Sequence, residues 1–250
     1  MILLVAFVVG IGFHLARVGG WGPALALHRR WEAARPHVVA YIRASPVTFT
    51  YLFIVTITTW VLLGLDPPIV DAVLKAHSSN LAHLRSDPIR VLIRSAFWLD
   101  TYWLLAAVAV IAVVLAPAER WLGTARWIIV FATGHLGATL ITAGGLLLAI
   151  HAGIVSHSQE GAIDVGVSYG FAAVAAVFTY RLTGRARYAW GGVLLSVVVL
   201  AAVVGRTFTD FGHLVAVLLG FAMWPLTRRP TQQLEHGTPV WALPERGTPG

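Results

Sequence analysis

A chain of 250 residues with 58% hydrophobic and only 12% charged side chains cannot coat a water-facing globule, because soluble domains carry about 25% charged residues. With no cysteine, disulfides, thiolate metal sites and a cysteine nucleophile are excluded. The formal charge of +7 comes largely from arginines in short connectors between apolar blocks, which is the pattern of membrane loops and not of a nucleic-acid-binding surface.

Residues 1–16 form an apolar block without a basic leader or a small-residue cleavage pattern, so a cleaved signal peptide is a poor reading. A seventh span, a membrane-surface helix and an overextended start all fit this segment. A basic linker with Arg29, Arg30, Arg35 and Arg43 follows, completing an N-terminal segment of residues 1–44. Six spans are then predicted, at 47–65, 101–116, 127–150, 164–180, 189–205 and 208–224. The first is opened by Pro46 and closed by Asp66-Pro67-Pro68; the second is ended by Pro117 and the sixth by Pro225. In lipid such runs must be helical, because each backbone group needs a partner within its own segment. The predicted fold is therefore an all-α, polytopic bundle of six transmembrane helices over residues 45–226, with an N-terminal hydrophobic helix in addition. Residues 227–250, rich in Pro, Gly, Thr and Gln, are expected to be a disordered cytoplasmic tail.

Charge sets the expected orientation. Arg120 and Arg126, then Arg181, Arg185 and Arg187, then Arg228 and Arg229 join the basic linker on one side. Glu160 and Asp164, and Arg206 with Asp210, lie on the other. Lys75, Arg85, Arg90 and Arg94 in the long first loop run against this balance, which still places both ends of the core in the cytoplasm and the protein in the plasma (inner) membrane. The first loop, 66–100, is then external, with Trp98, Tyr102 and Trp103 suited to the interface.

On this topology the fourth and sixth spans start from the same face. Ser168 lies four residues past Asp164 and His213 three past Asp210, so both side chains sit about 5–6 Å below their helix starts. Gly166 and Gly170 flank the serine, while Gly212, Ala216 and Gly220 form a small-residue face beside the histidine. Such faces let helix backbones approach closely, and an imidazole within reach can take the serine proton and make the hydroxyl a nucleophile. The plainer alternative is a serine bonded to its own helix carbonyls and a histidine that merely packs.

These residues resemble the rhomboid superfamily of six-helix intramembrane serine proteases. Gly166-Val167-Ser168 matches the family's serine motif. His213, Ala216 and Gly220 match the histidine helix with one Gly-to-Ala change; Glu119 and Gly123 match the end of the second helix, and Arg90 keeps half of a Trp-Arg motif in the first loop. The resemblance implies an endopeptidase that cleaves transmembrane protein substrates near the outer membrane face with a Ser168–His213 dyad. It needs no cofactor, metal or nucleic acid, and membrane lipid surrounds it. An inactive relative that binds membrane helices without cutting them is the alternative.

Three departures stand out. Trp103 and Ala107 occupy the places where the family carries a His and an Asn that hold the oxyanion. Tyr169 replaces the glycine after the serine, with Gly170 next. The aromatic that stacks on the catalytic histidine would fall at Ala172, and neither Tyr169 nor Phe171 shares that helix face. His135 and Thr139 on the third span are candidates for the polar groups missing from the second; a buried hydrogen bond fixing helix register is the plainer reading. His157 and Glu160, in the loop 152–163, are too few for a metal site.

Overall fold

The computed structural model describes residues 2–99, 104–161 and 167–228, and among them all regular structure is helical. The chain divides into two compact units, Met1–Ala44 and Ser45–Gly250.

The first unit is a pair of helices, α1 (Ile2–Val18) and α2 (Gly22–Arg43). The turn between them passes through Gly20 at φ +78°, a left-handed conformation that a side chain would strain. Arg17 reaches across the turn to Nε2 of His28 at 3.1 Å. The basic stretch read as a linker is thus helical. Pro23 stands in its first turn, where the missing N–H has no intrahelical partner anyway, and Ala, Leu, Glu and Arg carry the helix onward.

The second unit begins with α3 (Pro46–Leu62), whose buried positions Thr48, Tyr51, Leu52, Val55, Thr59 and Leu62 recur at helical spacing on one face. The first loop is itself mostly helical: α4 (Pro67–Ala76), α5 (Leu81–Ser86) and α6 (Pro88–Ser95). Asn80 caps α5 by accepting from the His83 N–H at 3.0 Å, and Asp87 caps α6 by accepting from the Arg90 N–H at 3.2 Å. The loop is fastened to α3, where the Tyr51 hydroxyl donates to the Ala96 carbonyl at 2.5 Å and the Thr58 hydroxyl to that of Phe97 at 2.6 Å.

Pro117 does not end the second span. α7 (Leu104–Val110) runs through a π-helical turn, Ile111–Leu115, into α8 (Ala116–Leu122) without a break. Proline's ring normally collides with the carbonyl one turn back. The wider turn immediately before it opens that space, so the helix passes the proline and stops instead at Gly123, whose φ of +81° reverses the chain.

The third span also contains a π-turn. α9 (Thr124–Ala132), Thr133–Gly137 and α10 (Ala138–His151) form one helix of 28 residues. After it come α11 (Ser168–Phe178), α12 (Gly184–Val204) and α13 (Phe208–Ala222). Thr207 and Asp210 start α13 with a capping box in which each side chain bonds the other's backbone N–H. Pro225, expected as the stop, lies beyond that end in a short 3₁₀ turn, Trp224–Thr227.

Among the described residues two helices, Thr124–His151 and Gly184–Val204, are long and apolar enough to cross a membrane. The helices are apolar but unequal. With 11 residues, α11 measures about 16 Å, half the hydrocarbon thickness. It is also the innermost element: Ala172 through Phe178 are all buried, and its heaviest packing is against α13, followed by the π-turn of the third span and α9. Window hydropathy cannot separate a helix buried in protein from one facing lipid, because both are apolar all round. The predicted start of this span at 164, and residues 229–250 of the predicted tail, lie outside the described residues.

Candidate active site

Ser168 is the first residue of α11 and is half-buried. Val167 supplies no side-chain cap. The first-turn N–H groups therefore keep the positive end of the helix dipole beside the serine. α11 is held on two sides by contacts that only small residues permit. On one side, a Cβ at Gly134 would run into Ala173 and the Tyr169 carbonyl, and one at Gly170 into the ring of Phe131. On the other, a Cβ at Gly220 would strike the backbone of Ala173, and one at Gly212 the ring of Tyr169. Ala216, fully buried, completes this face.

His213 follows Gly212 on α13 and is half-buried, with its imidazole facing the backbone of Thr209 one turn earlier. The Tyr169 ring meets it edge to face, with centroids 5.1 Å apart and planes at 79°. Tyr169, considered as a substitute for the family aromatic but read as lying off the Ala172 face, is thus the ring that meets the histidine. Ala172, the position where an aromatic was expected, is instead buried among Ala216 and Val217 in a cluster that leaves no room for a ring. Tyr169 reaches the histidine because Gly212 has no side chain, and that glycine was the available sequence signal. Ser168 and His213 themselves lie on helices in direct contact, joined at this level by Tyr169. No hydrogen bond links the two side chains.

Glu119 has a structural task. Its side chain is 1% exposed. Its carboxylate accepts from the Thr48 N–H at 2.7 Å, the Val47 N–H at 3.1 Å and the Thr124 hydroxyl at 2.9 Å. One side chain thus caps α3 and ties it to the α8–α9 corner, where Gly123 supplies the reversal and donates its N–H to the Glu119 carbonyl at 2.8 Å. Ser45 adds a bond to the Ala116 carbonyl at 2.9 Å.

His135 stands in the π-turn of the third span and is 5% exposed. Its Nε2–H donates to the Leu92 carbonyl at 3.0 Å, with the Ser95 hydroxyl 3.3 Å away. A carbonyl can only accept, so the proton is on Nε2 and Nδ1 is a lone-pair acceptor; it and the Thr139 hydroxyl are buried without a hydrogen-bonding partner. The histidine therefore docks the end of α6 onto the third span. Its partners, Leu92 and Ser95, could not be found from sequence, because the bond runs through a main-chain carbonyl some 43 residues away.

Arg90 lies on α6 with an exposed side chain. Ala107 is half-buried against the core. Gly166 and Trp103 lie outside the described residues. His157 and Glu160 pair with each other at 2.8 Å, and Arg85 joins Glu160 at 3.2 Å. The His157 hydrogen bond holds the Glu160 carboxyl below its ordinary range, with Arg85 adding to the effect. Among the described residues no three His, Asp or Glu side chains converge.

A family model described as "Rhomboid-like protein" matches residues 40–233, which is most of the chain and all of the helices above from α3 on. The chain belongs to the rhomboid-like family. No curated protein and no solved structure matches it. For this rhomboid-like protein the match spans Ser168, His213, Glu119 and Gly123 together. With the apolar helices, family membership marks it as an integral membrane protein.

Proposed function

We propose that this rhomboid-like protein is an intramembrane serine endopeptidase that cleaves transmembrane helices near the outer membrane face. The observation that carries the proposal is the joint placement of Ser168 and His213. The serine opens a buried helix, and the histidine lies on the helix packed against it, oriented by the ring of the residue next to the serine. Ser168 Oγ attacks the scissile carbonyl carbon as its proton passes to His213. The resulting oxyanion is held by first-turn N–H groups of α11, including that of Tyr169, with Gly166 part of the same motif. His213 then protonates the departing amine, and water hydrolyses the acyl-enzyme by the reverse sequence. Gly170, Gly212, Ala216 and Gly220 allow the close approach this needs; Glu119, Gly123 and Arg90 belong to the frame. His135 and Thr139 position the third span against α6 and α11. The protein sits in the plasma membrane with six core spans and cytoplasmic core termini, taking its substrates from the surrounding lipid.

A second reading, a helix-binding protein that does not cut, is favoured by Trp103 and Ala107 at the positions of the missing oxyanion donors and by the lack of a hydrogen bond between Ser168 and His213. Catalytic hydrogen bonds are often long in the free enzyme and tighten with substrate, so the protease reading is retained.

Labelling of the purified protein by a fluorophosphonate decides between them. Wild type is expected to label, Ser168→Ala not at all, and His213→Ala at least about 10³-fold more slowly. A folded wild type that does not label would leave the non-cleaving reading.

A further inference from the structure

Between the C-terminal half of α10 and the N-terminal half of α13 lies a cavity of about 690 Å³, on a different side of α13 from the face that packs on α11. Its walls are apolar: Ile141, Leu146 and Ala149 from α10, and Phe208, Phe211 and Val215 from α13. Ile141 and Phe211 are also about half exposed, at 52% and 47%, so the cleft continues onto the apolar outer surface. At its mouth stand Ser156 and Gln159 from the turn after α10, with Thr207 and Arg206 from the α12–α13 corner.

Among the described residues, Arg206 is the single ionisable side chain lining the cleft. It is also the one non-glycine residue with positive φ among the described residues, at +52°. Glycine would take that conformation without strain and arginine does not, so the corner is built around this side chain at a cost. Its Nε donates to the Val203 carbonyl at 3.0 Å, and the exposed side chain lines the mouth. Of the described acids near this corner, Glu160 is paired with His157 and Arg85, and Asp210 Oδ2 accepts from the Thr207 N–H and hydroxyl. A cation at the mouth of an apolar slot suits an amphiphile with one anionic group.

The cleft is too small to enclose a transmembrane helix. A transmembrane helix about 10 Å across and 30 Å long fills roughly 2,400 Å³, whereas 690 Å³ lies in the range of small-ligand sites, about 300–1,000 Å³. We propose that this cleft holds one anionic phospholipid. Its phosphate bridges Arg206 and Gln159, with Ser156 beside them, and an acyl chain lies between α10 and α13. The bound lipid bears on the helix that carries His213 while touching neither Ser168 nor His213, and the assignment stands whether or not Ser168 is a nucleophile.

The test is native mass spectrometry of the full chain in detergent, titrated with phosphatidylglycerol and with phosphatidylcholine of the same acyl chains. Wild type is expected to retain one phosphatidylglycerol, with about a fivefold preference over phosphatidylcholine, as one interfacial arginine supplies. Arg206→Gln, at an exposed position, brings the two lipids to parity. Gly145 lines the cleft and a Cβ on it meets nothing within 4 Å, so Gly145→Leu fills the slot without disturbing the fold and lowers retention of both lipids. Arg187→Gln, which removes the cation stacked on Tyr180 in a separate cavity, leaves the preference intact. Equal retention of the two lipids by wild type, or a preference that survives Arg206→Gln, would overturn the proposal.

Discussion

The ring of Tyr169 occupies the space where a side chain at residue 212 would stand, and the next residue along that helix is His213. A methyl group at Gly212 must displace the Tyr169 ring or push α13 away from α11. Gly212→Ala is therefore expected to destabilise the fold by about 1–3 kcal/mol, the usual cost of overpacking. Because either movement reaches the histidine, fluorophosphonate labelling of Ser168 should slow more than the stability loss alone explains. Thermal melts in detergent read the first effect and labelling rates the second. Tyr169→Phe keeps the edge contact and is expected to label near the wild-type rate, whereas Tyr169→Ala is not. The sequence singled out Ser168 and His213 from their spacing to flanking charges and glycines, and the structure places them on packed helices. From the sequence Tyr169 was a candidate stand-in for the family aromatic, but its contact with the histidine was not legible, because it depends on the space left at Gly212 of another helix. Side-chain direction in a first turn depends on how the chain enters it, and sequence spacing does not encode that.

At the level of elements, Glu119 does for α3 what a capping residue normally does from within its own helix, but from 71 residues away. Glu119→Ala removes the acceptor for two backbone N–H groups and is expected to cost about 2–4 kcal/mol; Glu119→Gln, which keeps one carbonyl acceptor, should cost less. Equilibrium unfolding of the two variants measures the difference. Equal losses would mean that the carboxylate's charge matters and not its bonding geometry. The resemblance picked out Glu119 and Gly123 as a pair, and the geometry gives the reason: one caps while the other reverses the chain beside it. The two π-turns were invisible beforehand. A proline or a histidine inside an apolar run looks like a stop or a ligand, and only the backbone reveals that one extra residue per turn accommodates Pro117 and turns His135 toward α6.

Across the whole molecule, the Arg85–Glu160–His157 cluster joins the helical first loop to the turn after α10, and that turn also supplies Gln159 to the lipid cleft. The Glu160 carboxyl is held below its ordinary value in the folded state. Its contribution is thus complete above the ordinary carboxylate range and is lost as pH falls through the lowered native value. Hydrogen exchange across residues 155–161, corrected for intrinsic rates, should show protection unchanged from neutral into mildly acidic pH and lost only below it. Glu160→Gln should lack that protection throughout; protection that survives the substitution would detach the turn's order from this cluster. An all-helical membrane fold was legible from composition alone. The lengths of its helices were not, since burial in protein and burial in lipid select the same residues.

The scant burial of α12 has a consequence of its own. Only Val198 and Ala202 of α12 are buried, while α11 beside it is enclosed on every turn after the first. A bilayer thicker or thinner than the 21 residues of α12 prefer must be met by tilt, snorkelling or local deformation of the lipid. That hydrophobic mismatch falls on helices with exposed apolar side chains, α12 and α3 among them. α11, buried in protein past its first turn, is shielded from it. Bilayer thickness therefore acts on this protein through those exposed helices, and the serine-bearing helix keeps its register in membranes of different depth.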